Sequence, residues 1–540
     1  MLSWNDGTYN GVYAYDELNR VLSVSTDYSF GTKTVNYTYD RFGNKATMTY
    51  PDSLGTVDYT YDAFNRLTTI DHGLSTVGYE YDVASRLTKK TLPNGVYTDY
   101  TYDNANRLTS LINRKSDATV ISEYLYAYDD VGNRLSMDTS EGTHDYNYDD
   151  IYRLTNADHP ITSDETYTYD KVGNRETSAD YSDWTYDAEN KLTSYDGINY
   201  NYDNNGNLID KNDNGSLTNY TWDYENRLIE VVGAGLASAR YDYDPFGKRL
   251  SKTVDGVTTY YLYDNEDIVV EYDSAGTVAV HYLHGQGIDE PIAIVGAALA
   301  SAHYYTFDGL GSVVELTDDT QAVVESYEYD SFGNTTILDA NRSPLNASAV
   351  GNPYMYTSRE YDSETGLYFY RARYYDAGIG RFISQDPIGY IDSVNLYSYV
   401  NNSPFIWVDP WGLFKFSNYF NDKWDPMFWF DGNWGGPGRV NGDTGKGTEL
   451  DDFPRRGDKD FVEPENPRDW CWYYHDVALH DCAKNPCEKE RKKCRKKGDK
   501  SLADCLDSLP KKFKTWKAGV ARDFFRYFTP NGNKPGDYRE

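Results

Sequence analysis

A four-residue signature, aromatic-x-aromatic-Asp, recurs along the first half of the chain and constrains its fold more than any other feature. Its aspartates are Asp16, Asp40, Asp62, Asp82, Asp103, Asp129, Asp149, Asp170, Asp187, Asp203, Asp223, Asp244 and Asp264. Successive gaps run from 16 to 26 residues and cluster at 20 to 22. A period of that length marks a repeat architecture. Within one unit, Tyr59-Thr60-Tyr61 alternates between two faces of a strand, Asp62-Ala63-Phe64-Asn65-Arg66 supplies a turn, and Leu67-Thr68 opens the next strand. Each repeat is therefore one β-hairpin. A lone hairpin cannot bury its apolar face, so the units are expected to join edge to edge in a long sheet. The 55 tyrosines suit such a half-buried pleated surface.

A chain of 540 residues exceeds one hydrophobic core, so several parts are expected. No apolar run reaches the ~20 residues of a membrane span. The start, Met1-Leu2-Ser3-Trp4-Asn5-Asp6, lacks a secretory leader and reads as though it opens inside a repeat, as in a fragment of something longer. Charge divides the chain. Residues 414–540 carry 25 Lys+Arg against 22 Asp+Glu, whereas the part before them carries 27 against 63. All five cysteines (Cys471, Cys482, Cys487, Cys494 and Cys505) lie in the mildly basic tail. Without a Cys-x-x-Cys pair they favour disulfides formed in an oxidising destination over zinc.

Over roughly residues 1 to 340 the repeats resemble the YD repeats of Rhs and related bacterial toxin proteins. The resemblance implies a mainly β fold whose sheet spirals into a hollow shell (residues 1–345) around a toxic C-terminal polypeptide. From Asn352 to Leu413 the pattern changes to Leu-Tyr-Phe-Tyr-Arg-Ala-Arg-Tyr-Tyr-Asp, Gly-Arg-Phe-Ile-Ser-Gln-Asp-Pro-Ile-Gly and Val-Asp-Pro-Trp-Gly-Leu. This stretch resembles the Rhs core-associated segment, assigned here to residues 346–413. In that family paired Asp-Pro-x-Gly motifs form an aspartyl self-cleaving site. The matching residues are Asp386 and Asp409, with Arg381 as a supporting charge and the cut after Leu413. Two acids sharing a proton supply a base and an acid together; a purely structural plug is the alternative.

The tail, residues 414–540, is expected to be a small α-helical, disulfide-containing domain. Asn466 can cap a helix and Pro467 suits its first position, so a helix is expected from about Pro467 to Ala483. Cys471, His475, Leu479 and Cys482 share one of its faces. A second helix from Asp499 to Leu509 is stopped by Pro510. If the two run antiparallel, Cys471 and Cys505 lie ~6 and ~9 Å along from His475 and Asp499, and a disulfide between them would lock the pair. The run Glu463 to Asp476, with the loop Trp434-Gly435-Gly436-Pro437-Gly438, resembles phospholipase A2. That resemblance implies His475 as the base, Asp499 as its orienting partner and Ca²⁺ held by Asp476 with the carbonyls of Trp434, Gly436 and Gly438. The amide of Gly436 would serve the oxyanion. The sequence departs from the family at Leu479, where tyrosine is usual, and at the apparent insertion 440–462.

The expected function is therefore a secreted or delivered Rhs-type toxin with a calcium-dependent tail that hydrolyses membrane phospholipid. A delivery apparatus and a cognate immunity protein are its implied partners, and nucleic acid is not the expected substrate. A nuclease tail, suggested by the basic run Lys484 to Lys517, is the first alternative. A non-enzymatic surface or adhesion protein is the second.

Overall fold

The computed structural model describes residues 2–73, 76–179, 181–297 and 301–417, all within the first of two compact units, Met1–Asp422. The repeat signature explains its own local structure. Strands Thr56–Tyr61 and Leu67–Asp71 pair antiparallel with a bulge between Thr60 and Tyr61. Between them Asp62 N donates to Arg66 O at 2.9 Å, and Asn65 takes φ +67°. That left-handed residue is tolerated best by Asn or Gly, the residues the turns favour. Asp62 Oδ1 accepts from the amides of Phe64 and Arg66, and its Oδ2 accepts from Arg66 Nε at 2.8 Å. Arg66 then reaches the next turn, donating to Asp82 O at 3.2 Å. The first tyrosine of the signature, Tyr59, is buried in the core. The second, Tyr61, ties back to the preceding hairpin through its hydroxyl on Lys45 O at 2.9 Å. Tyr81 on Leu67 O and Tyr102 on Leu87 O repeat the bond.

Hairpin added to hairpin gives two long meanders. One has 16 strands, from Leu2–Asn5 to Glu165–Thr166, and the other 17, from Thr185–Tyr186 to Pro344–Leu345, each strand pairing with its sequence neighbours. A single long sheet was expected; the structure interrupts it between residues 166 and 185. Among the described residues only the short pair Thr168–Tyr169 and Arg175–Thr177 lies in the gap. The sequence on either side of that pair, His159-Pro160-Ile161-Thr162-Ser163-Asp164 in the last loop of the first meander and Ser178-Ala179-Asp180-Tyr181-Ser182-Asp183 in the gap, is rich in residues that strands disfavour.

The two meanders stack in register order. Tyr28 OH donates to Tyr261 O at 2.5 Å, Tyr50 OH to Tyr282 O at 2.6 Å, and Asn113 Nδ2 to Phe307 O at 3.1 Å. Lys45–Asp264 and Lys90–Glu290 ion pairs join the same layers. Later strands of the first meander thus meet later strands of the second, as successive turns of a winding sheet do. Val35, Val57, Ile70, Val77 and Ile292 fill the space between them without exposure.

Residues 352–417 close the unit with little regular structure: a four-stranded sheet from Glu360–Asp362 to Arg381–Phe382, and the pair Trp407–Val408 with Phe416–Ser417. Tyr368, Tyr370, Tyr375, Tyr397 and Tyr399 are completely buried. Bonds bolt this segment to distant points of the meander: Arg249 to Glu360 and Asp362, Tyr397 OH to Gly206 O, and Tyr375 OH to Phe332 O. Among the described residues no α-helix occurs, only two short 3₁₀ turns. The helical disulfide-containing domain expected for the tail lies outside the described residues.

Candidate functional site

Both Asp-Pro-x-Gly motifs fold as tight turns that present their aspartates to one point. Gly389 N donates to Asp386 O at 2.9 Å, and Gly412 N to Asp409 O at 3.3 Å. Gly389 and Gly412 sit at φ +69° and +65°, and a Cβ on Gly412 would lie 2.5 Å from Tyr370 O, so the fourth position is closed to larger residues. The two acids meet across Arg373. Its Nη2 is 3.3 Å from Asp386 Oδ2 and 3.3 Å from Asp409 Oδ2. The same guanidinium donates to Gly412 O and Leu396 O and lies over the Phe382 ring. All three charged side chains are buried.

Burial, with Arg373 pulling the other way, pushes the Asp386 carboxyl up to about 8 and the Asp409 carboxyl to about 6. Near neutral pH one acid therefore carries a proton and the other does not. Asp409 also addresses the chain directly after its own turn: Oδ1 accepts from Leu413 N at 2.9 Å and from Phe414 N at 3.1 Å. The amide of the bond expected to be cut is thus in contact with one member of the pair.

Arg381, expected beside these acids, stands elsewhere. It donates to Asn174 Oδ1 at 3.1 Å and to Asn190 O, and lies over the Tyr186 and Tyr397 rings. Register explains the exchange. Tyr375 pairs with Phe382 and Asp376 with Arg381, so Arg381 projects from the face opposite to Phe382, while Arg373 shares the Phe382 face.

His475, Asp499, Asp476, Trp434, Gly436, Gly438, Cys471 and Cys505 lie outside the described residues. Among the described residues no group of three His, Cys, Asp or Glu side chains is arranged to hold a metal ion. No helix among them is long and apolar enough to cross a membrane.

A winding YD meander closed by a buried, tyrosine-rich segment defines a shell-forming repeat protein, and comparison with known proteins identifies which kind. The teneurin YD-shell model matches residues 128–405, over half the chain, and the RHS repeat model matches residues 15–54 and 81–118. The chain belongs to the teneurin YD-shell family. It is 29% identical over 313 residues to tRNA nuclease WapA of Bacillus subtilis, covering 55% of this chain and 11% of that protein. It is 37% identical over 111 residues to double-stranded DNA deaminase toxin A of Burkholderia cenocepacia, covering 21% of this chain and 7% of that one. Toxin subunit YenC1 of Yersinia entomophaga is 41% identical over 110 residues, 20% of this chain and 11% of its own. The chain thus spans only about a tenth of these relatives' length. In fold, it resembles the crystal structure of TcdB2-TccC3-TEV with a TM-score of 0.62 at 21% identity, over 75% of this chain and 24% of that one. The Tc holotoxin pore of Photorhabdus luminescens gives 0.63 at 20% identity, over 76% and 23%. The shell-like antiparallel β fold is shared with both.

Proposed function

We propose that this chain is the carrier part of a Rhs-type toxin that severs its own tail between Leu413 and Phe414. The observation that carries the reading is the contact of Asp409 Oδ1 with the amides of Leu413 and Phe414, with Asp386 held across the same arginine. In this scheme ionised Asp409 takes a proton from water as its oxygen adds to the Leu413 carbonyl carbon. Asp386, protonated, supplies a proton to the developing oxyanion. Collapse of the tetrahedral species breaks the C–N bond as Asp409 passes its proton to the Phe414 nitrogen and Asp386 recovers one from a hydroxyl, and the new Leu413 carboxyl then gives its proton to the freed Phe414 amine. The test is mass analysis of the full chain after expression. Fragments ending at Leu413 and beginning at Phe414 are expected from the wild type and absent from Asp386→Asn and Asp409→Asn. An intact wild-type chain sinks the reading.

For the tail itself, the relatives favour chemistry on nucleic acid, since two of them are a tRNA nuclease and a DNA deaminase toxin. The basic run Lys484 to Lys517 would suit phosphates. The phospholipase A2 reading, with His475, Asp476, Asp499 and Ca²⁺, is a second proposal supported by the Glu463–Asp476 run and the Trp434–Gly438 loop. Incubating the full chain with tRNA, duplex DNA and phospholipid vesicles, with Ca²⁺ or chelator, separates them. Calcium-dependent fatty-acid release lost in His475→Ala, with nucleic acids untouched, would reverse the order. A delivery apparatus and an immunity protein belong to the same proposal.

A further inference from the structure

We infer that Arg371 is a positioning residue for the Leu413–Phe414 cut, an inference that rests on the self-cleavage reading above. Three consecutive carbonyls leading to the cut are gripped by three consecutive residues. Arg371 Nη1 donates to Pro410 O at 2.5 Å, Ala372 N to Trp411 O at 3.1 Å, and Arg373 Nε to Gly412 O at 2.5 Å. The chain is thereby fixed in register up to the residue before Leu413.

Arg371 is itself anchored from the meander. Its Nη2 is 2.8 Å from Asp289 Oδ1 and its Nη1 3.2 Å from Asp289 Oδ2, a fork on a buried carboxylate. Arg359 donates to the same Asp289, and Arg371 also approaches Glu266 and Asp267. The grip therefore ties the cut segment to the turn before strand Pro291–Gly296, far from the acid pair in sequence.

Its backbone points the same way. Tyr370 pairs with Arg373, so Arg371-Ala372 is a two-residue hairpin loop, and Arg371 sits at φ +57°. Glycine is the residue best suited to the first position of such a loop when φ is positive. An arginine there bears a conformational cost that its guanidinium contacts offset.

Arg371→Gly separates positioning from folding, because it removes the fork while relaxing the loop. The full chain is made by cell-free translation, and the appearance of the Phe414 N-terminus is timed across pH. Arg371→Gly is expected to cut roughly 10- to 100-fold more slowly, the loss a misplacement of about 1 Å can cause. Both limbs of its pH profile should stay where the wild type has them, because the acid pair keeps Arg373. Asp289→Asn should slow the cut in the same sense. Cutting at the wild-type rate overturns the inference, as does a slowed cut whose pH limbs have moved, which would make Arg371 part of the acid pair's charge balance. Should the glycine variant fail to fold, Arg371→Lys decides: intermediate slowing supports the fork, and a wild-type rate overturns it. A wild type as inert as Asp386→Asn removes the self-cleavage reading and this inference with it, whereas a cutting wild type with an unaffected Arg371→Gly removes this inference alone.

Discussion

At the scale of single residues the acid pair makes the sharpest statement about chemistry. Cutting needs Asp409 ionised and Asp386 protonated. The first condition fails as pH falls through about 6 and the second as pH rises through about 8. The rate of self-cleavage is therefore expected to be bell-shaped, with its maximum near 7, when the full chain is synthesised in buffers from pH 5 to 9. A rate that climbs steadily with pH would show that a single deprotonated group suffices. Arg373 is a harder residue to find from sequence than either aspartate. The two Asp-Pro-x-Gly motifs announce themselves by composition, and their meeting follows from one turn shape used twice. The choice between Arg371, Arg373 and Arg381 depends on strand register in a segment where strands are two to four residues long. No periodicity can be read over so short a run.

At the scale of the element, the hairpin repeat was legible because each residue of its signature has one job. The alternation in Tyr59-Thr60-Tyr61 sets the buried face, and the Asp-to-Arg spacing of four sets the turn. What the pattern does not carry is the link between hairpins: the tyrosine hydroxyl on the preceding hairpin and the arginine on the next turn are contacts across repeats. Two variants in one repeat weigh these links. Tyr81→Phe removes the hydroxyl from Leu67 O and should cost about 1 kcal/mol. Asp62→Ala strips two amides of their acceptor and Arg66 of its carboxylate, and should cost about 2 kcal/mol or more. Urea unfolding of the full chain reads both; an Asp62→Ala effect smaller than that of Tyr81→Phe would show the turn to be held mainly by its backbone. The break between residues 166 and 185 belongs to this scale too. The tyrosine-aspartate signature continues through Asp170 and Asp187, so counting repeats conceals it, while the runs of Ser, Asp and Pro around them mark where strands shorten.

At the scale of the whole unit, burial of acids within a winding sheet gives stability a pH dependence whose sign can be worked out. The largest upward displacements among the described aspartates are those of Asp386, to about 8, and Asp330, to about 7, both chiefly by burial. An acid whose folded value is raised favours folding in its protonated form. Its contribution is complete below the unfolded value near 3.8 and is lost as pH rises through the folded one. Histidines act in the opposite direction: burial holds His144 and His281 down at about 4, so they weaken the fold only as pH falls below their ordinary 6.5. Between pH 8 and 6.5 the acids act almost alone. The unit should therefore gain about 2 kcal/mol over that interval, from one proton taken up on each of two carboxyls in part. Asp330 is placed to report this separately from the cut site, since it lies in the turn before strand Thr335–Asp339, where Glu165 at the end of the first meander accepts from Ser331 N at 3.1 Å. In a background made uncuttable by Asp409→Asn, urea midpoints at pH 8 and 6.5 should differ, and Asp330→Asn should shrink that difference. An unchanged difference would place the proton uptake elsewhere among the buried carboxyls and leave the junction of the two meanders insensitive to pH.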